Sequence, residues 1–318
     1  LPWWGVFVVK LRTLVIDKVS DSVISKLKSR GIEVDYRPGI DRETLMKIVG
    51  DYDVLVFRSR LKIDKDVIDR GARLKVLARY GIGLDNVDVD YAISKGIAIV
   101  NAPTASCISV AELTIGLMIT VARNLYLHID SVKKGFWSKG KYIGMELYGK
   151  TLGIIGFGKI GSRVGVYAKA MGMRVLAYDI RDVALEVEMI GGKQVNLDTL
   201  LRQSDVITIH VPLTPQTYHM INDRTLGMVK DGAIIVNTSR GEVVDLRALL
   251  NHVERLGGIA LDVLDEEPPR SAHVLELIRH PKVVVTPHIG AETAEAMNRI
   301  ADEIADNILE AIRWSTSS

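Results

Sequence analysis

The sequence holds one cysteine, Cys107, in 318 residues. A lone thiol excludes an intrachain disulfide framework, so packing must hold the fold, and a reducing, cytoplasmic setting is the expectation. Charge of either sign is nearly absent in net terms. Lys and Arg number 41 against 39 Asp and Glu, a formal charge of +2. Such a balance creates no field for a nucleic acid or an anionic membrane, and neither is expected as a partner. Long hydrophobic runs are missing too. The longest one away from the N-terminus, residues 113–122, falls well short of the roughly 20 residues a bilayer-spanning helix needs. The first twelve residues are apolar, but Lys10 and Arg12 follow the apolar stretch instead of preceding it, the reverse of a secretory leader. An extra strand or a loose extension is expected there. No metal is expected.

What remains is the composition of an ordinary globular protein, 47% hydrophobic and 25% charged, at a length that suits two domains. From residue 13 to residue 101, short β-branched runs (13–17, 33–36, 54–58, 75–79, 98–101) alternate with amphipathic stretches that stop at glycines. Strand–helix alternation demands right-handed crossovers and a parallel sheet covered on both faces. A second series begins near residue 149, with strands expected at 151–156, 174–179, 206–211, 233–238, 258–263 and 283–288. These runs are too apolar to have a solvated face, as in a central parallel sheet. Residues 109–124 read as a helix apolar nearly all round, expected to be buried between domains or subunits. Residues 292–312 place Ala296, Ile300, Ile304, Ile308 and Ile312 in one stripe, and this last helix is expected to return to the first domain.

Directly after the 151–156 strand comes Gly156-Phe157-Gly158-Lys159-Ile160-Gly161, then a helical stretch, then another strand ending at Asp179. GxGxxG alone is a weak signal, but between strand and helix it has a mechanism. Gly156 permits the tight turn, Gly158 lets backbone approach a pyrophosphate, and Gly161 allows close helix–strand packing. First-turn amides then point at the anion. Asp179 stands where a carboxylate takes a ribose diol and repels a 2′-phosphate, which selects NAD over NADP; Arg181 lies close and softens that preference. The plain alternatives are a ligand-free turn or a methyltransferase loop.

Three later strand ends carry polar groups: Thr238-Ser239-Arg240-Gly241, then Asp265-Glu266-Glu267-Pro268, then Pro287-His288-Ile289-Gly290. In an open parallel sheet, ligands sit outside the carboxyl ends of strands, so these groups are expected in the crevice that holds the nicotinamide. An arginine, a carboxylate and a histidine are what oxidation of a 2-hydroxy acid needs. Arg240 would hold the substrate carboxylate or carbonyl oxygen with its planar fork. His288 would take the hydroxyl proton as hydride leaves. Glu267 would fix the imidazole tautomer and stabilise the imidazolium. Singly, each has a plain alternative: a surface arginine, an acidic loop, a capping histidine.

Together these motifs, with Gly81-Ile82-Gly83-Leu84-Asp85 and the helix start near residue 109, resemble the D-2-hydroxy-acid dehydrogenase family, and within it the D-3-phosphoglycerate dehydrogenases. The resemblance covers nearly the whole chain. It implies an α/β fold of two Rossmann-like or flavodoxin-like parallel-sheet domains with a cleft between them. The substrate domain would be discontinuous, residues 1–101 plus 289–318, and residues 102–288 would bind NAD. Catalysis would fall to Arg240, Glu267 (not Glu266) and His288. Asp262 would contact the nicotinamide amide, and Lys159, Ile160, Val211, Pro212, Thr238, Ser239 and Gly290 would join the cofactor site. Arg58, Ser59, Arg60, Gly81, Ile82 and Gly83 would meet the substrate, a phosphorylated 2-hydroxy acid, with Arg60 supplying charge to the phosphate. Lys139 and Lys141 are weaker phosphate candidates and read first as solvated charge. The implied reaction is NAD-dependent oxidation of D-3-phosphoglycerate in serine biosynthesis, by a homodimer or homotetramer with the 109–124 region in the contact. A glyoxylate or hydroxypyruvate reductase shares every catalytic residue and is the first alternative; a non-catalytic NAD(H)-sensing protein is a remote one. Two positions depart from the family pattern: Ser106, where many relatives carry asparagine, and Ile82, where some carry threonine. Cys107 reads as a packed residue, because no step requires a thiolate. A serine-sensing regulatory domain after residue 318 is not expected.

Overall fold

The computed structural model describes residues 11–315. The expected N-terminal extension falls almost wholly on residues 1–10, outside the described residues. Two compact units divide the chain. One comprises the residues up to Ser106 together with those from Ala291; the other is Cys107–Gly290.

In the first unit, β1 (Arg12–Val15), β2 (Glu33–Tyr36), β3 (Val54–Phe57), β4 (Val76–Arg79) and β5 (Ala98–Val100) form a parallel sheet in the order β2-β1-β3-β4-β5, the flavodoxin-like winding. Side chains alternate across it. Val15, Val54, Val56, Val76 and Ala78 face one apolar layer, while Leu14, Ile16, Leu55, Phe57 and Leu77 face the other. Both faces are covered, which is why the strands read as continuous apolar runs. Helices start where the sequence offers caps. Ser20, Asp41, Asp64 and Asp88 each accept a first-turn amide, worth about 1 kcal/mol apiece. The last helix, Ala294–Ser315, lays Ile300, Ile304, Ile308 and Ile312 into the first of these layers. Arg299 Nε donates to the Ala105 carbonyl and Asn307 Nδ2 to that of Asn101. These bonds keep residues 102–106 with the first unit, so the division falls a few residues beyond position 101.

The second unit holds β6 (Thr151–Ile155), β7 (Arg174–Tyr178), β8 (Lys193–Gln194), β9 (Val206–Ile209), β10 (Ile234–Asn237), β11 (Gly258–Leu261) and β12 (Val283–Val285). Their order, β12-β11-β10-β9-β6-β7-β8, is the doubly wound dinucleotide-fold pattern extended by one strand. Winding reverses between β6 and β9, so the ligand crevice lies beyond their carboxyl ends. The edge strand β8 has two residues and a lysine, too little pattern to read from the sequence. The helix expected at 109–124 runs Cys107–Ala122 and is buried on its own sheet, with Ala111, Leu117, Met118 and Val121 against Ile154, Val206, Val236 and Ala260. Among the described residues no single helix is long and apolar enough to cross a membrane.

Candidate active site

At the reversal point the backbone leaves β6 into the glycine loop. Gly156 adopts φ +91°, and a Cβ there would sit 2.7 Å from the His210 carbonyl oxygen at the end of β9. A Cβ on Gly161 would lie 2.1 Å from the Gly156 carbonyl, whereas one on Gly158 would meet nothing within 4 Å. Two glycines are therefore packing requirements, and the third opens onto free space. Helix Lys159–Ala170 begins there with no side-chain cap. Its first-turn amides are a site for an anion. Lys159 is exposed and Ile160 half-buried. Asp179, one residue past β7, accepts from the Phe157 amide at 2.9 Å and so ties the loop to the neighbouring strand. Beyond β9, Val211 is half-buried and Pro212 exposed. Loop, open glycine, helix start and carboxylate fit a dinucleotide. Lys159, Ile160 and Gly161 would hold the pyrophosphate and Asp179 the ribose.

The catalytic candidates of this unit sit on the loops after β10, β11 and β12. Asn237, fully buried at the end of β10, organises the first. Its Oδ1 accepts from the Ser239 amide (3.0 Å) and hydroxyl (2.8 Å), and its Nδ2 donates to the Arg240 carbonyl (2.8 Å). Arg240 Nη1 donates to the Ser239 carbonyl at 2.6 Å. The sequence reading passed over Asn237; a polar residue closing an apolar strand was the available signal. Thr238 turns inward. Its hydroxyl lies 2.9 Å from that of Thr114, so only its backbone is left for a cofactor. After β11, Glu266 accepts from the Arg270 amide and from the Ser271 amide and hydroxyl, ahead of helix Ala272–Arg279. Glu267 is left as the acid. Its Oε1 accepts from the Leu264 amide at 3.1 Å and its Oε2 meets His288 Nδ1 at 2.8 Å. With Nδ1–H donating there, Nε2 keeps its lone pair for a substrate proton.

Asp262 governs the His288 loop. Its buried carboxylate accepts from the Thr286 hydroxyl (2.6 Å), the Ile289 amide (2.9 Å) and the Gly290 amide (2.9 Å), while its carbonyl accepts the His288 amide at 2.8 Å. His288 is held at φ +56°, a left-handed conformation that side-chain-bearing residues rarely adopt. The Gly290 carbonyl is bound by the Ser109 hydroxyl at 2.7 Å, so both its backbone groups serve the loop. Burial pushes the Asp262 carboxyl up, against the three donors that pull it down. The hydrogen bond that His288 donates to Glu267 raises the histidine pKa, outweighing burial, which lowers it. Glu267 is lowered: burial pushes it up, but the bond to His288 and its charge win. His210 was also passed over. Both its ring nitrogens are buried without a partner, and burial lowers its pKa to about 3. It stays neutral at physiological pH.

In the first unit, the substrate candidates gather at the carboxyl edge of the sheet. Asp17 is nearly buried after β1 and accepts from the Arg58 amide (2.7 Å) and Arg60 Nε (2.8 Å); Arg60 Nη2 donates to the Ile16 carbonyl. Arg58 Nη2 lies 3.4 Å from Glu292 Oε1, and Ser59 is exposed. Asn86 Nδ2 donates to the carbonyls of Arg58 and Leu61, holding this loop in shape. The Gly81 and Ile82 carbonyls accept from the Ala102 amide and Asn101 Nδ2, and Gly83 is half-buried. Arg79 ends β4 beside them, packed where a Gly81 Cβ would otherwise sit; it is a further cation that the sequence reading did not select. Ser106 and Cys107 are buried, and Lys139 and Lys141 are exposed.

A raised histidine pKa keeps the imidazolium to higher pH, and its loss must lower the titration. In Glu267→Gln the His288 ring, followed by NMR, is expected to titrate at lower pH than in the unaltered protein. An unchanged midpoint would remove Glu267 from this role.

Comparison with known proteins agrees with this geometry. Residues 115–290 match the model of the D-isomer specific 2-hydroxyacid dehydrogenase, NAD binding domain. The chain is 42% identical over 306 residues to a D-3-phosphoglycerate dehydrogenase of Methanocaldococcus jannaschii, covering 95% of this chain and 58% of that protein. It is 45% identical over 273 residues to a hydroxypyruvate reductase of Thermotoga maritima, covering 85% and 88%. The fold matches a D-lactate dehydrogenase of Aquifex aeolicus, solved with NAD and lactic acid, with a TM-score of 0.87 at 30% identity over 96% of each chain. The chain thus spans less than two thirds of the first relative's length. It belongs to the D-isomer specific 2-hydroxyacid dehydrogenase family.

Proposed function

We propose that the protein is an NAD-dependent D-2-hydroxyacid dehydrogenase whose substrate pair is D-3-phosphoglycerate and 3-phosphohydroxypyruvate. The observation that carries the chemistry is the 2.8 Å contact between His288 Nδ1 and Glu267 Oε2 on the loop that Asp262 clamps. In the oxidising direction the substrate hydroxyl gives its proton to His288 Nε2, the C2–H bond breaks, and its electron pair leaves as hydride. The nicotinamide, when bound, supplies the hydride acceptor. Arg240 pairs with the substrate carboxylate or carbonyl oxygen, and Glu267 stabilises the imidazolium that forms.

Phosphate recognition is assigned to Arg58, which follows β3, with Arg79 at the end of β4 as a further cation on the same edge of the sheet. The likeness to D-3-phosphoglycerate dehydrogenases favours this substrate. A second reading, reduction of unphosphorylated hydroxypyruvate or glyoxylate, draws on a specific feature. Arg60 is already paired with Asp17, and Arg58 has Glu292 within reach, which reduces the positive charge offered to a phosphate. Steady-state rates with phosphohydroxypyruvate, hydroxypyruvate and glyoxylate decide between them. Arg58→Ala is expected to lose about tenfold or more on the phosphorylated substrate and little on the others, the worth of one charge-assisted hydrogen bond. Equal losses on all three, or preference for hydroxypyruvate in the unaltered protein, favour the second reading. His288→Ala is expected to lose roughly 10²–10⁴ in turnover on every substrate.

The assembly is assigned to the second unit. Helix Leu125–Lys133 exposes Leu125, Ile129 and Val132, and the segment after it exposes Phe136, Trp137 and Ile143. So much apolar surface in one stretch is characteristic of a contact between copies. Ile129→Asp is expected to halve the mass seen by light scattering. An unaltered protein already at the mass of one chain would overturn this.

A further inference from the structure

The carboxylate that ends the cofactor strand does not stand alone. Arg181 reaches back to it: the Arg181 amide donates to Asp179 Oδ1 at 3.0 Å, Nε to Oδ1 at 3.2 Å, and Nη2 to Oδ2 at 3.3 Å. With the Phe157 amide on Oδ2, four donors meet a carboxylate that has about four lone-pair positions. Nη2 also reaches the Phe157 carbonyl at 3.3 Å, so the guanidinium lies against the glycine loop. The Asp179 side chain is 10% exposed and that of Arg181 60%.

Two consequences follow from that arrangement. A ribose 2′,3′-diol must displace the Arg181 side chain to gain both carboxylate oxygens. The displaced contacts are long and at an exposed site, where an ion pair holds weakly. The negative charge that would exclude a 2′-phosphate is also offset by a positive one beside it. A planar, permanently charged fork released at that point is a suitable partner for a phosphate. We propose that the protein accepts NADP(H) as well as NAD(H), with Asp179 binding the ribose diol of one cofactor and Arg181 the 2′-phosphate of the other. Hydride transfer is the same with either; only the handling of the adenosine ribose differs. The inference extends the assignment of the dinucleotide loop and does not depend on which 2-hydroxy acid is the substrate.

Equilibrium titrations followed by nicotinamide fluorescence test it, with NADH and NADPH as probes and 2′,5′-ADP as a competitor lacking the nicotinamide. In the unaltered protein the NADPH dissociation constant is expected within about a hundredfold of that for NADH. Arg181→Ala should weaken NADPH and 2′,5′-ADP by about tenfold or more while leaving NADH equal or tighter. Arg181→Lys, which keeps the charge, should fall between. Raising the salt concentration should weaken NADPH more than NADH. A discrimination beyond a thousandfold in the unaltered protein would overturn the proposal. So would an Arg181→Ala variant that weakens both cofactors equally, since the arginine would then only support the loop. Binding of neither cofactor would overturn the dinucleotide assignment together with it.

Discussion

One buried carboxylate sets the position of His288. Asp262 gathers a hydroxyl and two amides from residues 286–290, and its own carbonyl takes the His288 amide. A histidine at φ +56° is costly, of the order of 1–3 kcal/mol, and persists only where the surroundings over-determine it. These bonds do so. They come from the strand next to β12, so the clamp is as rigid as the sheet. A Cβ on Gly290 would lie 3.0 Å from Asp262 Oδ2 and press on the clamp. Once the loop is fixed, Glu267 has only to meet the ring from the adjacent strand end, and the Leu264 amide keeps it there.

The remaining polar groups obey the same logic. Asn237 shapes the turn carrying Arg240, Asp179 ties the glycine loop to β7, and Asp17 holds the loop after β3. Each sits at the carboxyl end of a parallel strand, where backbone amides begin to lack ladder partners. Buried side chains that accept those amides turn the sheet edge into a fixed frame. The proposed functional residues sit on the loops held in this way.

Much of this was legible in the sequence. Apolar runs too continuous for a one-sided sheet announced both parallel sheets. The four-residue isoleucine spacing placed the last helix on the first of them, where Ile300, Ile304 and Ile308 now pack. Arg240, Glu267 and His288 were marked by their places after strands. What escaped was tertiary. Strand β8 has two residues and no periodicity. Asn237 and His210 close apolar strands and look like ordinary boundary residues until their partners, or lack of them, are seen. Arg60 reads as spare charge because nothing local shows that Asp17, 43 residues away in sequence, already holds it. Thr238 reads as a cofactor ligand because Thr114 lies on a distant helix.

The pH dependence of kcat/KM, measured in both directions of the reaction, tests the central claim most directly. Neutral imidazole is needed to accept the substrate proton and imidazolium to return it. With its pKa raised by Glu267, His288 should make oxidation rise and reduction fall as the pH increases through its titration. Profiles that are flat there, or that move the same way with pH in both directions, would contradict a histidine–glutamate pair as the group that moves the proton.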